Sequence, residues 1–91
     1  MTNVARRSTW AHAIVHFEGR AQSVIIRDVS LGGMKIEFAY GLSPGDQIEI
    51  ELMSGRVLKG TVAWSVAAYC GVEFPSPLEE DDPILASCKR H

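Results

Sequence analysis

A carboxylate, a hydroxyl and two glycines stand together at Asp28-Val29-Ser30-Leu31-Gly32-Gly33, between two apolar runs that read as strands. Residues of these types in one tight bend make a turn that can receive a polar ligand, because the side chains accept and donate hydrogen bonds while glycine lets backbone approach closely. The same residues also have a purely structural use: Asp-x-Ser turns close on their own backbone, and Gly-Gly is common where strands reverse. Two other groups are weaker. His12 and His16 have the spacing that would join two imidazoles on a helix, but the surrounding alternation is that of a strand, on which four residues span ~13 Å. They are therefore read as surface histidines, and no metal site is expected. An Asp28–Ser30–histidine triad lacks an oxyanion loop, a nucleophile elbow and a histidine near Ser30, so catalysis is not expected either.

The elements that must hold the turn follow from alternation of apolar and polar residues. Ala11, Ala13, Val15 and Phe17 alternate with His12, Ile14, His16 and Glu18, and Gly19-Arg20 offers a reversal. A second strand is expected near 22–29. After the Asp28–Gly33 turn, Met34, Ile36 and Phe38 share one face against Lys35 and Glu37, until Ser43-Pro44-Gly45-Asp46 breaks the chain. Ile48, Ile50 and Leu52 repeat the pattern. Ser54-Gly55 marks a hairpin, Leu58, Gly60, Val62 and Trp64 share a face of a long fifth strand, and a sixth runs from about Tyr69 to Phe74.

Six short strands of antiparallel type argue for an all-β fold closed into a barrel, which removes the exposed edges a flat sheet of this size would carry. Gly60 suits a bend at a barrel corner, Trp64 the core, and Tyr40 with Leu42 an anchor for the preceding loop. Beyond the Pro75-Ser76-Pro77 break, Asp82 precedes Pro83 as a cap precedes a first-turn proline, and a short C-terminal helix is expected over Pro83–Arg90, with Ile84 and Leu85 docked on the barrel. The expected organisation is a single domain over 1–91: an N-terminal arm at 1–10, a barrel at 11–74 and the helical tail at 75–91.

Ninety-one residues bury one modest core and leave no room for a deep cleft. The net charge of −2 gives no general attraction to nucleic acid or anionic lipid, so an anionic ligand must be held by local cations. Trp10, Tyr40 and Trp64 could form an aromatic face for RNA, but they lack a basic stripe beside them. In the first half no apolar run is longer than that of Val24-Ile25-Ile26, and the N-terminus has no signal-peptide core, so a cytoplasmic location without membrane insertion is expected. Cys70 and Cys88 lie far apart with no metal-ligand spacing and are read as free thiols, Cys70 as a small buried side chain.

The turn resembles the D/N-x-S-x-x-G signature of PilZ domains, small bacterial β-barrels known as receptors for cyclic di-GMP, with Asp28, Ser30 and Gly33 on the signature positions. Gly60-Thr61-Val62-Ala63-Trp64 and Gly71-Val72-Glu73-Phe74 are similar to the strands that close the family's barrel, so the resemblance runs from about Arg6 to Phe74. It implies a six-stranded antiparallel barrel and a ligand, cyclic di-GMP, with two phosphates and two guanines whose O6 and N7 edges match the forked donors of arginine. The family's R-x-x-x-R motif is kept only in its first half: Arg6 and Arg7 are present, but Trp10 stands four residues after Arg6 and Ala11 four after Arg7. Arg6 and Arg7 are the expected clamp on phosphate and guanine. Asp28 is expected on the guanine N1–H edge, Ser30 on base or phosphate, and Gly33 at a positive φ that exposes backbone N–H groups. Trp10 is a candidate base stacker that offsets the lost arginine. The resemblance implies a receptor or adaptor without cofactor that passes the signal to a protein partner in motility, adhesion or exopolysaccharide control by ordering the N-terminal arm. The alternative is a degenerate PilZ-like interaction module that no longer binds the nucleotide.

Overall fold

The computed structural model describes residues 7–86 and 89–90. Six strands, β1 (Arg7–Phe17), β2 (Arg20–Val29), β3 (Gly33–Glu37), β4 (Gln47–Leu52), β5 (Val57–Val66) and β6 (Tyr69–Glu73), are joined in the ring order β1-β2-β3-β6-β5-β4. β4 pairs back onto β1, so the expected antiparallel barrel is closed. Its interior is filled by the inward residues of every strand: Ala13 and Val15, Val24, Ile26 and Val29, Met34 and Ile36, Ile48 and Ile50, Leu58 and Val62, and Cys70 and Val72. β-branched and aliphatic side chains suit this pleated wall, and each full burial contributes ~1.5–3 kcal/mol.

Three residues depart from simple alternation. Trp64 is 40% exposed rather than in the core, because a bulge between Val62 and Trp64 shifts the β5–β6 register by one residue and turns the side chain outward over Gly71. A Cβ on Gly71 would come 2.1 Å from the Trp64 indole nitrogen, so this glycine is the seat of the ring. Phe38 is exposed because β3 ends at Glu37 and Phe38 takes a φ of 66°; Ala39 is buried in its stead. Tyr40 is exposed too, and the loop is anchored by buried Leu42 and by Gln22, whose side chain accepts from the Tyr40 N–H and donates to its carbonyl.

The tail also differs from expectation. The helix, α1, is Pro83–Ala86 only, and Lys89–Arg90 form a two-residue strand, β7, pairing Arg90 with Arg7 and Lys89 with Ser8. The helix therefore does not extend to Arg90: the backbone groups of residues 89 and 90 find partners on β1 instead. On the other side, β1 begins at Arg7, so residues 7–10 belong to the sheet rather than to an arm. Ahead of α1 the tail is fastened by Arg56, whose Nη1 and Nη2 donate to the two oxygens of Asp82 at 2.6 and 2.8 Å. Asp82 Oδ1 also accepts from the Ile84 N–H at 3.1 Å, the capping role its place before Pro83 indicates. Ile84 and Leu85 are buried against the barrel. No described helix is long and apolar enough to cross a membrane.

Candidate functional site

The Asp28–Gly33 turn links β2 to β3, and its conformation is held from within and from the chain beyond β6. The Ser30 N–H and hydroxyl both donate to the Gly33 carbonyl, at 2.8 and 3.3 Å. The Phe74 N–H donates to the Gly32 carbonyl and the Leu78 N–H to that of Leu31, at 2.9 and 2.7 Å. Gly33 does not have the positive φ expected of it. Glycine is needed there for proximity: a Cβ would lie 2.2 Å from the Val72 carbonyl oxygen, because Gly33 pairs with Glu73 where β3 and β6 come together. Gly32, by contrast, has open space about it.

Beside the turn, two irregularities in the ladder face one another. On β2, Ile26 pairs with Ile36 and Asp28 with Lys35, so Arg27 has no opposite number on β3. On β1, Ser8 pairs with Asp28 and Ala11 with Ile26, so Thr9 and Trp10 together oppose Arg27. A bulge adds one residue to the alternation, and here it turns Arg27 and Asp28, neighbours in sequence, to the same outer face. The Arg27 guanidinium lies 3.7 Å from the centroid of the Trp10 ring, and its Nη1 donates to Glu37 Oε1 at 2.5 Å. Asp28 Oδ2 lies 3.4 Å from Lys35 Nζ, which also sits 5.5 Å over the Tyr69 ring. The face thus carries two cations, two carboxylates and two aromatic rings, with the Asp28 side chain 14% exposed and that of Arg27 27% exposed.

Of the expected site residues, Asp28, Ser30 and Gly33 are together in the turn. Arg7 joins them through the backbone, as the β1 partner of Val29. Arg6 lies outside the described residues. Trp10 is 67% exposed, but one face of its ring is taken by Arg27. Sequence reasoning missed Arg27, Lys35, Glu37 and Tyr69. A signal for Arg27 was available: the buried residues of β2 run Val24, Ile26, Val29, and a step of three in a period of two marks an extra residue.

Elsewhere, an open cleft of about 320 Å³ lined by Phe17, Arg20, Gln22, Tyr40 and Leu42 lies at the other end of β2, away from the signature. His16 is bonded to Glu51 at 2.8 Å, and among the described residues no group of three or more His, Cys, Asp or Glu is placed to hold a metal ion.

The molecule is thus a small closed antiparallel barrel with a polar turn and a charged outer face meeting at one strand junction. The family model of the PilZ domain matches residues 5–88, nearly the whole chain, and the chain belongs to that family. PilZ domains in general are cyclic di-GMP-binding adaptors rather than enzymes. Comparison with curated proteins gives no match.

Proposed function

We propose that this chain is a cytoplasmic cyclic di-GMP receptor that passes the signal to a protein partner. The observation that carries the reading is the β1–β2 register, in which Arg7 pairs with Val29, the residue between Asp28 and Ser30 of the signature. The pairing of Arg7 beside the signature turn supports a site that draws on both strands. Arg7, with Arg6, takes the phosphates and a guanine edge, and Asp28 and Ser30 form the opposite jaw; Gly33 contributes by letting the strands approach rather than by a special φ. Because the interior is filled with side chains, the nucleotide binds on the outer face of the barrel. Motility, adhesion and exopolysaccharide control are the processes in which such an adaptor acts.

The test is calorimetric titration of cyclic di-GMP into the protein, with GTP as control and an Arg7→Ala/Asp28→Ala double variant alongside. Low-micromolar binding that is lost in the folded double variant is expected. Absence of heat at ~100 µM ligand, a level at which any affinity tighter than about −5.5 kcal/mol registers, would overturn the receptor reading and leave a family member that works by protein contact alone.

A further inference from the structure

We propose that Arg27 supplies the second ligand-binding arginine of this protein, and that Trp10 serves as the positioning residue that holds it. The inference rests on the receptor reading above. Trp10 occupies the place four residues after Arg6 where the R-x-x-x-R pattern would have its second arginine, and the Arg27 guanidinium lies 3.7 Å from the centre of its ring. A guanidinium is thus delivered to the same corner from the neighbouring strand. The device that delivers it is the pair of facing bulges, Thr9-Trp10 on β1 against Arg27 on β2.

The geometry also sets what this arginine can do. Stacking on an indole uses the face of the guanidinium and leaves its N–H groups pointing outward in the plane. Glu37 takes one, at Nη1, and this is the hydrogen bond the Arg27 side chain makes among the described residues. The other N–H groups of Arg27 are donors suited to the O6 and N7 acceptors of a guanine edge, while Asp28, the next residue of β2, suits the N–H edge of the same kind of base. Arg27 and Glu37 are side chains 27% and 15% exposed, so the guanidinium is both fixed and reachable. Trp10 with Glu37 removes the rotamer freedom that a lone surface arginine would lose on binding.

This assignment separates from a direct base-stacking role for Trp10 by a double-variant cycle read as cyclic di-GMP affinity, with cyclic di-AMP as the comparison ligand. Arg27→Ala should weaken cyclic di-GMP binding by roughly ten- to 150-fold, the effect of one hydrogen-bonded charged group, and should narrow the preference over cyclic di-AMP. Trp10→Ala should weaken binding in the native background and have no further effect in the Arg27→Ala background, and Trp10→Phe should restore most of the loss. Arg27→Gln and Trp10→Phe stand in wherever an alanine variant fails to give a cooperative melt. Full affinity in Arg27→Ala, or a Trp10→Ala loss of equal size in both backgrounds, overturns the inference while leaving the receptor reading intact. A native protein that binds no cyclic di-GMP overturns both.

Discussion

Gly33→Ala and Gly32→Ala are one methyl group each, one residue apart, and the barrel should respond to them in opposite ways. A Cβ at Gly33 would lie 2.2 Å from the Val72 carbonyl oxygen, 3.3 Å from the Val72 carbonyl carbon and 3.4 Å from the Glu73 Cα, all backbone atoms with no rotamer to yield. β3 must retreat from β6 by about 1 Å to restore ordinary contact. Overpacking of this kind costs about 1–3 kcal/mol, and the ladder bonds stretched beside the Gly33–Glu73 pair add about 1 kcal/mol. A loss near 3 kcal/mol against the roughly 5–14 kcal/mol expected for a chain of this length lowers the melting temperature by about 12–24 °C. At Gly32 a Cβ meets nothing within 4 Å and φ is not positive, so its replacement should stay within about 0.5 kcal/mol of the native protein. Thermal unfolding followed by far-UV circular dichroism compares the two directly. Equal shifts, or a larger one for Gly32→Ala, would refute the close-approach account and return Gly33 to a role in the turn's conformation.

Two further outcomes follow from groups away from the turn. Hydrogen bonds from Arg56 hold the Asp82 carboxyl below the ordinary carboxylate range, with the Ile84 N–H assisting and burial opposing. A carboxyl depressed by folding stabilises the fold fully above its unfolded pKa of ~3.9 and loses that contribution as pH falls through the folded value. Asp82→Asn should cost about 1–2 kcal/mol at pH 7, toward the low end because the Arg56 side chain is 39% exposed to screening water. Its urea midpoint should then fall less steeply than the native one on acidification, whereas parallel pH profiles would remove Asp82 from the acid response. Burial, with Asp46 adding to it, pushes the Cys70 thiol up, so in a Cys88→Ser variant Cys70 should react with Ellman's reagent only after denaturant is added. Rapid labelling of the folded variant would contradict that.

The barrel was legible because its signal is local: period-two alternation places nearly every buried residue of β1 to β6 correctly, and turn residues separate the strands. Trp64 and Phe38 were misplaced for a shared reason. Alternation read through a bulge or a positive φ assigns the wrong face, and neither interruption is marked by glycine or proline at those two positions. The end of α1 was misread because Lys89 and Arg90 pair with residues at the other end of the chain, and helix-compatible composition says nothing about so distant a partner. At the site, the signature residues were visible as a motif, whereas the Trp10–Arg27–Glu37 stack draws one member from each of three strands. Such a stack is set by register, which a linear reading resolves only when it keeps count of the extra residue.

Ring closure limits which parts of this molecule can move independently. Every one of β1 to β6 has at least two hydrogen-bonded neighbours, so no single strand can peel away without opening a ladder on both its sides. Amide hydrogens in the ring should therefore exchange together, in one cooperative event close to global unfolding, with no intermediate opening of one hairpin. What an occupied site can shift at low energy is the structure hung outside that circuit: β7, which has one neighbour, α1 behind its Arg56–Asp82 fastening, and the loops. The barrel is the fixed reference against which those parts move, and in the receptor role proposed above a protein partner would read them rather than the ring.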